Sequence, residues 1–182
     1  MSANQYMETV TSFSASLIGS LNGDTVKASK YADQAITDMS DNANKMGTNM
    51  ESVETAYQGF AKGQFMLLDN LKLGYGGTKE EMQRLLENAS KISGIKYDIS
   101  SYADITQAIH VIQTQMGITG TTAAEASTTI QGSVGAMKAA WSNLVTGMAD
   151  NNADIDKLIS NFVDSIGTVA ENIIPRLQII LQ

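Results

Sequence analysis

The chain contains no cysteine and a single proline in 182 residues. The first absence excludes disulfides and thiolate sites, whether for metal or for nucleophilic chemistry. The second suits long helices, because an interior proline removes a helical hydrogen bond and clashes with the preceding turn. Aromatic residues are also scarce, at 6%, with one Trp, so the apolar set rests on Ala, the aliphatics and 10 Met. No run of 18 apolar residues occurs, so no segment reads as a bilayer span. No charged stretch followed by an apolar one opens the chain, and no signal peptide is read. Basic residues are few and mostly single, as at Lys27, Lys45, Lys62, Lys72, Lys96 and Lys138, against a net charge of −7. A nucleic-acid surface needs clustered Lys and Arg to release counterions, so no specific nucleic-acid site is expected.

What remains is a chain with 43% hydrophobic residues, enough to fold, and long enough to bury roughly 70% of its unfolded surface. Tyr6, Val10, Phe13, Leu17 and Leu21 recur at helical spacing, and Asn22-Gly23 ends that pattern before Asp24, a candidate cap. From Ala32 the steps alternate four and three through Ile36, Met39, Ala43, Met46, Met50, Val53, Tyr57 and Phe60, and Gln64, Leu67 and Leu71 continue them. Gly47, then Thr48 with Glu51 three residues on, signals a helix stop and a capping box, whereas the unbroken phase favours one continuous helix. The expectation is a break or kink at Gly47–Thr48, with one long helix or two nearly collinear ones between Ala32 and Leu71. An ordinary face packing on its own domain accounts for the seam more simply than helix-mediated oligomerisation does. Gly59 and Gly63 form a GxxxG whose neighbours Gln58 and Lys62 place it in water, so a close helix neighbour is expected there.

Leu73-Gly74-Tyr75-Gly76-Gly77 is the strongest chain breaker, its glycines being free to adopt positive φ. Thr78 with Glu81 restarts a helix carrying Met82, Leu85, Leu86, Ala89 and Ile92 on one face, up to Gly94. Ser101 caps the next, with Tyr102, Ile105, Ile109, Ile112 and Met116 inward and Gly117 as stop. Thr122 with Glu125 opens a helix bearing Ile130, Val134, Met137, Trp141, Leu144, Val145 and Met148. The most strongly patterned helix runs from Ile155 to Gln182, with Pro175 expected to kink it and turn Leu177, Ile180 and Leu181 away from cover. The predicted fold is all-α with five to seven helices and no sheet. Residues 1–72 read as a long helical hairpin or arm broken near 47–48, and residues 73–182 as a helical bundle with an amphipathic C-terminal helix.

Motifs for chemistry are matched only in part. Gly74-x-Gly76 has Lys79 where a dinucleotide fingerprint needs its third Gly, and no strand precedes it. Glu80 and Glu81 are adjacent on a helix, so their carboxylates diverge. His110 is the only histidine, beside an apolar stripe, which makes a transition-metal site improbable. Gln131-Gly132-Ser133-Val134-Gly135 lacks the first Gly of a nucleophile elbow and sits mid-helix. Asp150 to Asp156 has Ile155 where a calcium loop needs Gly, and Asn161 where it needs Glu, so it reads as a loop that caps the helix after it. No catalytic, cofactor-binding or metal-ligating residue is therefore assigned, and no enzyme is expected.

Three runs carry a resemblance: NMESVETAYQGFAKGQFMLLDNLKLGYGGTKEEMQRLL from Asn49, GIKYDISSYADITQAIHVIQTQMGITGTTAAEASTTIQGSVGAMKAAWSNLVTGM from Gly94, and FVDSIGTVAENIIPRL from Phe162. Over residues 25–182 the chain resembles the tail tape-measure protein of long-tailed bacteriophages, most specifically in LDNLKLGYGGTKEEM and TTIQGSVGAMKAAWSNL. Members of that family are long, mostly helical chains that set tail length, fill the tail tube and leave with the DNA. The resemblance implies a virion structural protein in the tail-tube lumen, assembled in the host cytoplasm. Its implied partners are tail tube and tail-tip or baseplate proteins, with self-association through helices. It implies no catalytic residue. The apolar end at Gln178–Gln182 and the family's much greater length lead to the expectation that this is a section of a longer chain, too short to be the ruler itself. A helical interaction module, an effector or adaptor without catalysis, is the alternative that needs no resemblance.

Overall fold

A computed structural model describes residues 3–150 and 153–180. Among the described residues the chain is all-α, with eight helices, one 3₁₀ turn and no strand. It divides into two compact units, a larger one over Glu8–Thr121 and a smaller one holding Thr122 onward with the start of the first helix. The division expected at residue 72 is thus replaced by one near residue 121.

The larger unit begins in α1 (Ala3–Ser20), which stops where Asn22 and Gly23 turn to positive φ. Asp24 caps α2 (Thr25–Met46), its carboxylate accepting from the Lys27 N–H at 2.9 Å. Gly47 ends α2 at φ 63°, a left-handed conformation that L side chains adopt only with strain. The expected break is there, but Asn49 and not Thr48 caps α3 (Met50–Ala61), accepting from the Glu51 N–H at 2.8 Å. Thr48 instead donates to the Asn70 carbonyl at 3.3 Å.

The two helices are not collinear. Tyr57 of α3 lies close enough to Asp38 of α2 to feel its charge, and the two residues sit at similar separations either side of Gly47. That places α3 folded back along α2, the hairpin form of the expectation and not an arm. Ala28, Ala32, Ala35, Ile36 and Met39 of α2 and Val53, Ala56, Tyr57 and Phe60 of α3 are all buried. Most of the seam therefore faces its own unit. It ends with α3, since Gln64 is exposed while Leu68 and Leu71 of the 3₁₀ turn Leu68–Leu71 are buried. Gly59 meets no neighbouring helix; its close approach is to Gln64 in its own C-terminal turn.

Of the glycines at 74, 76 and 77, only Gly74 takes positive φ. Gly77 is required for a different reason: a Cβ built there collides with the Met66 carbonyl. Thr78 caps α4 (Lys79–Ser93) through the Glu81 N–H at 3.2 Å, and Glu81 reaches back to the Gly76 N–H at 3.0 Å. Met82, Leu85, Leu86 and Ala89 are buried, but Ile92, expected with them, is exposed. After Ser101 caps it, α5 (Tyr102–Gln115) packs on both α4 and α2, burying Ile105, Ala108, Ile109 and Ile112. This packing makes α2 and α5 parts of one core, which is why no arm separates from a bundle at residue 72. Met116, expected inward, is exposed beyond the helix end.

In the smaller unit the helix expected from Thr122 to Met148 is two, α6 (Thr121–Thr128) and α7 (Ile130–Gly147). Thr129 leaves helical geometry and caps α7 through the Gly132 N–H at 3.0 Å. Asp154 caps α8 (Ile155–Ile180) through the Lys157 N–H at 3.0 Å, as the loop reading expected. Trp141 meets Phe162, Gly147 meets Leu158, and Ser127 meets Asn172, so residues ascend on one side as they descend on the other. The helices α7 and α8 form an antiparallel hairpin. Helix α8 continues through Pro175 to Ile180; the expected exposure of Leu177, Ile180 and Leu181 lies outside the described side chains.

Two glycines test this packing in opposite directions. Gly77→Ala is expected to destabilise the chain by about 1–3 kcal/mol, because backbone must move to admit the methyl group. Gly135→Ala, in open space within α7, is expected to stabilise it by up to about 1 kcal/mol through helix propensity. Urea melts of the two variants should move to opposite sides of the parent; equal shifts would refute the contact at Met66.

Candidate functional site

The largest assembly of buried polar groups lies in the larger unit, where α2, α3 and α5 meet. Helix α2 turns Asp38, Asp41 and Asn42 inward, at the i, i+3 and i+4 positions of one face. Helix α5 answers with Gln107, His110 and Gln113, spaced by three. His110 Nδ1 lies 2.9 and 3.0 Å from the two carboxylate oxygens of Asp38, so the proton on that nitrogen is held between the helices. Gln107 donates to Gln34 at 3.2 Å, and Gln113 donates to the Tyr57 hydroxyl at 3.4 Å. Asp41 accepts from the Gly120 N–H at 2.7 Å, and Asn42 donates to the Leu71 carbonyl at 2.9 Å. Every one of these bonds joins segments far apart in sequence.

The electrostatics follow from burial. Asp38 is 1% exposed, and desolvation pushes its carboxyl above the usual range despite the opposing pull of His110; Asp41 adds to the rise. The hydrogen bond to Asp38 raises His110 above an ordinary histidine, against a smaller loss from its own partial burial. Burial also drives the Tyr57 and Tyr102 hydroxyls upward, so both stay neutral. Among the described residues three buried atoms lack a hydrogen-bond partner, Asn42 Oδ1, Tyr102 Oη and Gln113 Oε1. The cluster fixes the mutual register of α2, α3 and α5 by directional bonds that apolar packing alone does not supply.

In the sequence His110 reads as a lone histidine at the edge of an apolar stripe. It is at the edge, but Asp38 makes it half of a pair. The signal was present in α2, since Asp38, Asp41 and Asn42 interleave with Ala35, Ile36 and Met39 on the inward arc.

The other motifs resolve separately. Glu80 is exposed, while Glu81 pairs with Arg84 at 2.5 Å, which holds its carboxyl below the usual range together with the Gly76 N–H. Arg84 also donates to the Gly74 carbonyl at 2.9 Å and lies over the Tyr75 ring at 4.5 Å, clamping the glycine loop to α4. Ser133 is buried within the first turns of α7, with no strand before it among the described residues. Among the described residues no three His, Asp or Glu are grouped to hold a metal ion. An open groove of about 210 Å³ between α1 and α3, lined by Ser12, Phe13, Ser16, Gln58, Ala61 and Lys62, is smaller than the ~300 Å³ at which small-molecule sites begin. Comparison of the chain with protein-family models, with curated proteins and with solved structures finds no match among any of the three.

Proposed function

We propose that this chain is a helical section of a phage tail tape-measure protein, acting in tail-length determination, tail assembly and DNA ejection without catalysis. The observation that carries the reading is the run LDNLKLGYGGTKEEM with its continuation through TTIQGSVGAMKAAWSNL, and the all-α fold suits it. The section resides in the tail-tube lumen, with tube and tail-tip or baseplate proteins as partners. No described helix is long and apolar enough to cross a membrane.

Mass spectrometry of tails purified from particles whose genome encodes this chain is the test. Peptides spanning residues 25–182 are expected in intact tails and depleted after triggered ejection. Their absence from tails carrying all other structural proteins would refute the reading. One structural observation favours the second reading, a non-catalytic interaction module. Residues 8–121 close a core of their own and do not run as an extended rod. Under that reading the peptides are found outside particles.

A further inference from the structure

The hairpin of the smaller unit leaves one of its sides apolar. On α7, Ser133, Leu144 and Gly147 are buried, while Trp141 (52% exposed), Val145 and Met148 lie roughly 90° around the helix from them, at 100° per residue. On α8, Leu158, Phe162 and Val169 are partly covered, while Ile159, Val163, Ile166 and Ile174, each exposed by between 44% and 58%, lie roughly 100° away. Both rotations run in the same sense along the chain. On antiparallel neighbours, equal turns in the same sense lead to the same side of the pair. The two stripes therefore merge into a single face of seven apolar side chains, with the exposed Asp156, in line with Ile174, at the end of α8 that follows the loop.

We propose that this face is an interface between two copies of the chain, two hairpins stacking into a four-helix bundle. The area argues for it. With ordinary side-chain areas, the seven residues leave on the order of 700 Å² in water per copy. That is close to the ~800 Å² per partner of a standard interface, and two copies clear the ~1,000 Å² that a specific contact needs. It also exceeds the ~300–600 Å² of the largest patch on a typical monomer. A lipid surface fits less well, because the polar side of α8 carries Asp164 and Glu171 against Lys157, where an interfacial helix needs a basic flank. The proposal is independent of the tail reading, since either kind of protein can carry it.

Sedimentation equilibrium on the full 182-residue chain tests it, with the emission of Trp141, the sole Trp, as a second readout. The expected result is a monomer–dimer equilibrium in which Trp141 emission shifts to shorter wavelength as the dimer forms. Val163→Lys, at a site open to solvent, should leave helicity unchanged by circular dichroism and abolish the dimer. Val26→Lys, at an exposed position of the larger unit, should leave the dimer intact. Because the chain has no cysteine, a spin label on Val163→Cys reports one site, and dipolar coupling between copies should appear with the dimer. A monomer at every concentration up to about 1 mM overturns the proposal. So does a dimer that survives Val163→Lys, or one that forms with no change in Trp141 emission.

Discussion

Replacing Tyr57 by alanine is expected to lower the stability of the larger unit by about 3–5 kcal/mol, the usual cost of removing a buried aromatic ring. Tyr57 has no exposed surface and is the largest fully buried side chain described. Phe13 of α1 meets it edge-on at 6.4 Å and Phe60 lies against it at 5.8 Å, so its ring joins the N-terminal helix to the α2–α3 hairpin. Its hydroxyl takes the Gln113 amide of α5. Tyr57→Phe separates the contributions. It keeps the ring but leaves Gln113, whose Oε1 already lacks a protein partner, with an unpaired buried amide, at a cost of about 1–3 kcal/mol. Phe162→Ala in the smaller unit should cost less than Tyr57→Ala, because Phe162 is half-buried, with Trp141 on one side. Urea denaturation read by circular dichroism measures all three. Equal losses at Tyr57 and Phe162 would show that α1, α3 and α5 do not converge on this ring.

The second large effect is expected at His110. His110→Ala strands the Asp38 carboxylate in the core, and removing one partner of a buried pair typically costs about 3–5 kcal/mol. Asp38→Asn retains a carbonyl oxygen for the His110 N–H and removes the desolvated charge, so it should be much milder. The pair also sets a pH dependence. His110 in the fold holds its proton above the ordinary value of 6.5, and Asp38 holds its own above 3.8. Both groups bind more protons folded than unfolded, so their contribution is present at low pH and lost as pH rises through the folded-state values. Glu81 and Asp98, whose carboxyls are held low by hydrogen bonds, act in the opposite sense once pH falls toward their unfolded values of 4.5 and 3.8. Between these limits the chain should melt higher at about pH 6 than at about pH 8, and His110→Ala should flatten that slope. A proton NMR titration of the single imidazole gives the folded value directly. A midpoint at or below 6.5 would overturn the assignment.

The ends of most helices, and with them the fold class, were legible in the sequence because they are decided within four or five residues. Asp24, Thr78, Ser101 and Asp154 each cap the helix beside them. Gly47, Gly94 and Gly117 each take the left-handed turn after one. A cap and its N–H lie a turn apart on the chain, so no distant residue has a vote. Thr129 shows the limit of such signals: Thr122 with Glu125 offers one helix start, yet the Thr129 hydroxyl takes the Gly132 N–H and starts a second helix.

Tertiary structure alone decided how those helices are used. Periodicity says that Ile36, Met39 and Tyr57 share an inward face, but a rod and a hairpin bury that face equally well on paper. The fold-back at Gly47 shows only in the tertiary approach of Tyr57 to Asp38. Ile92 and Met116 fit their stripes and still point to water, because each lies at the end of its helix, past the last covering neighbour. Asp38 and His110 are 72 residues apart, and Gly77 and Met66 are joined only by steric exclusion. Such pairings depend on which surfaces meet, and that is a property of the whole packed chain, since burial energy is non-directional and does not name its partner in advance.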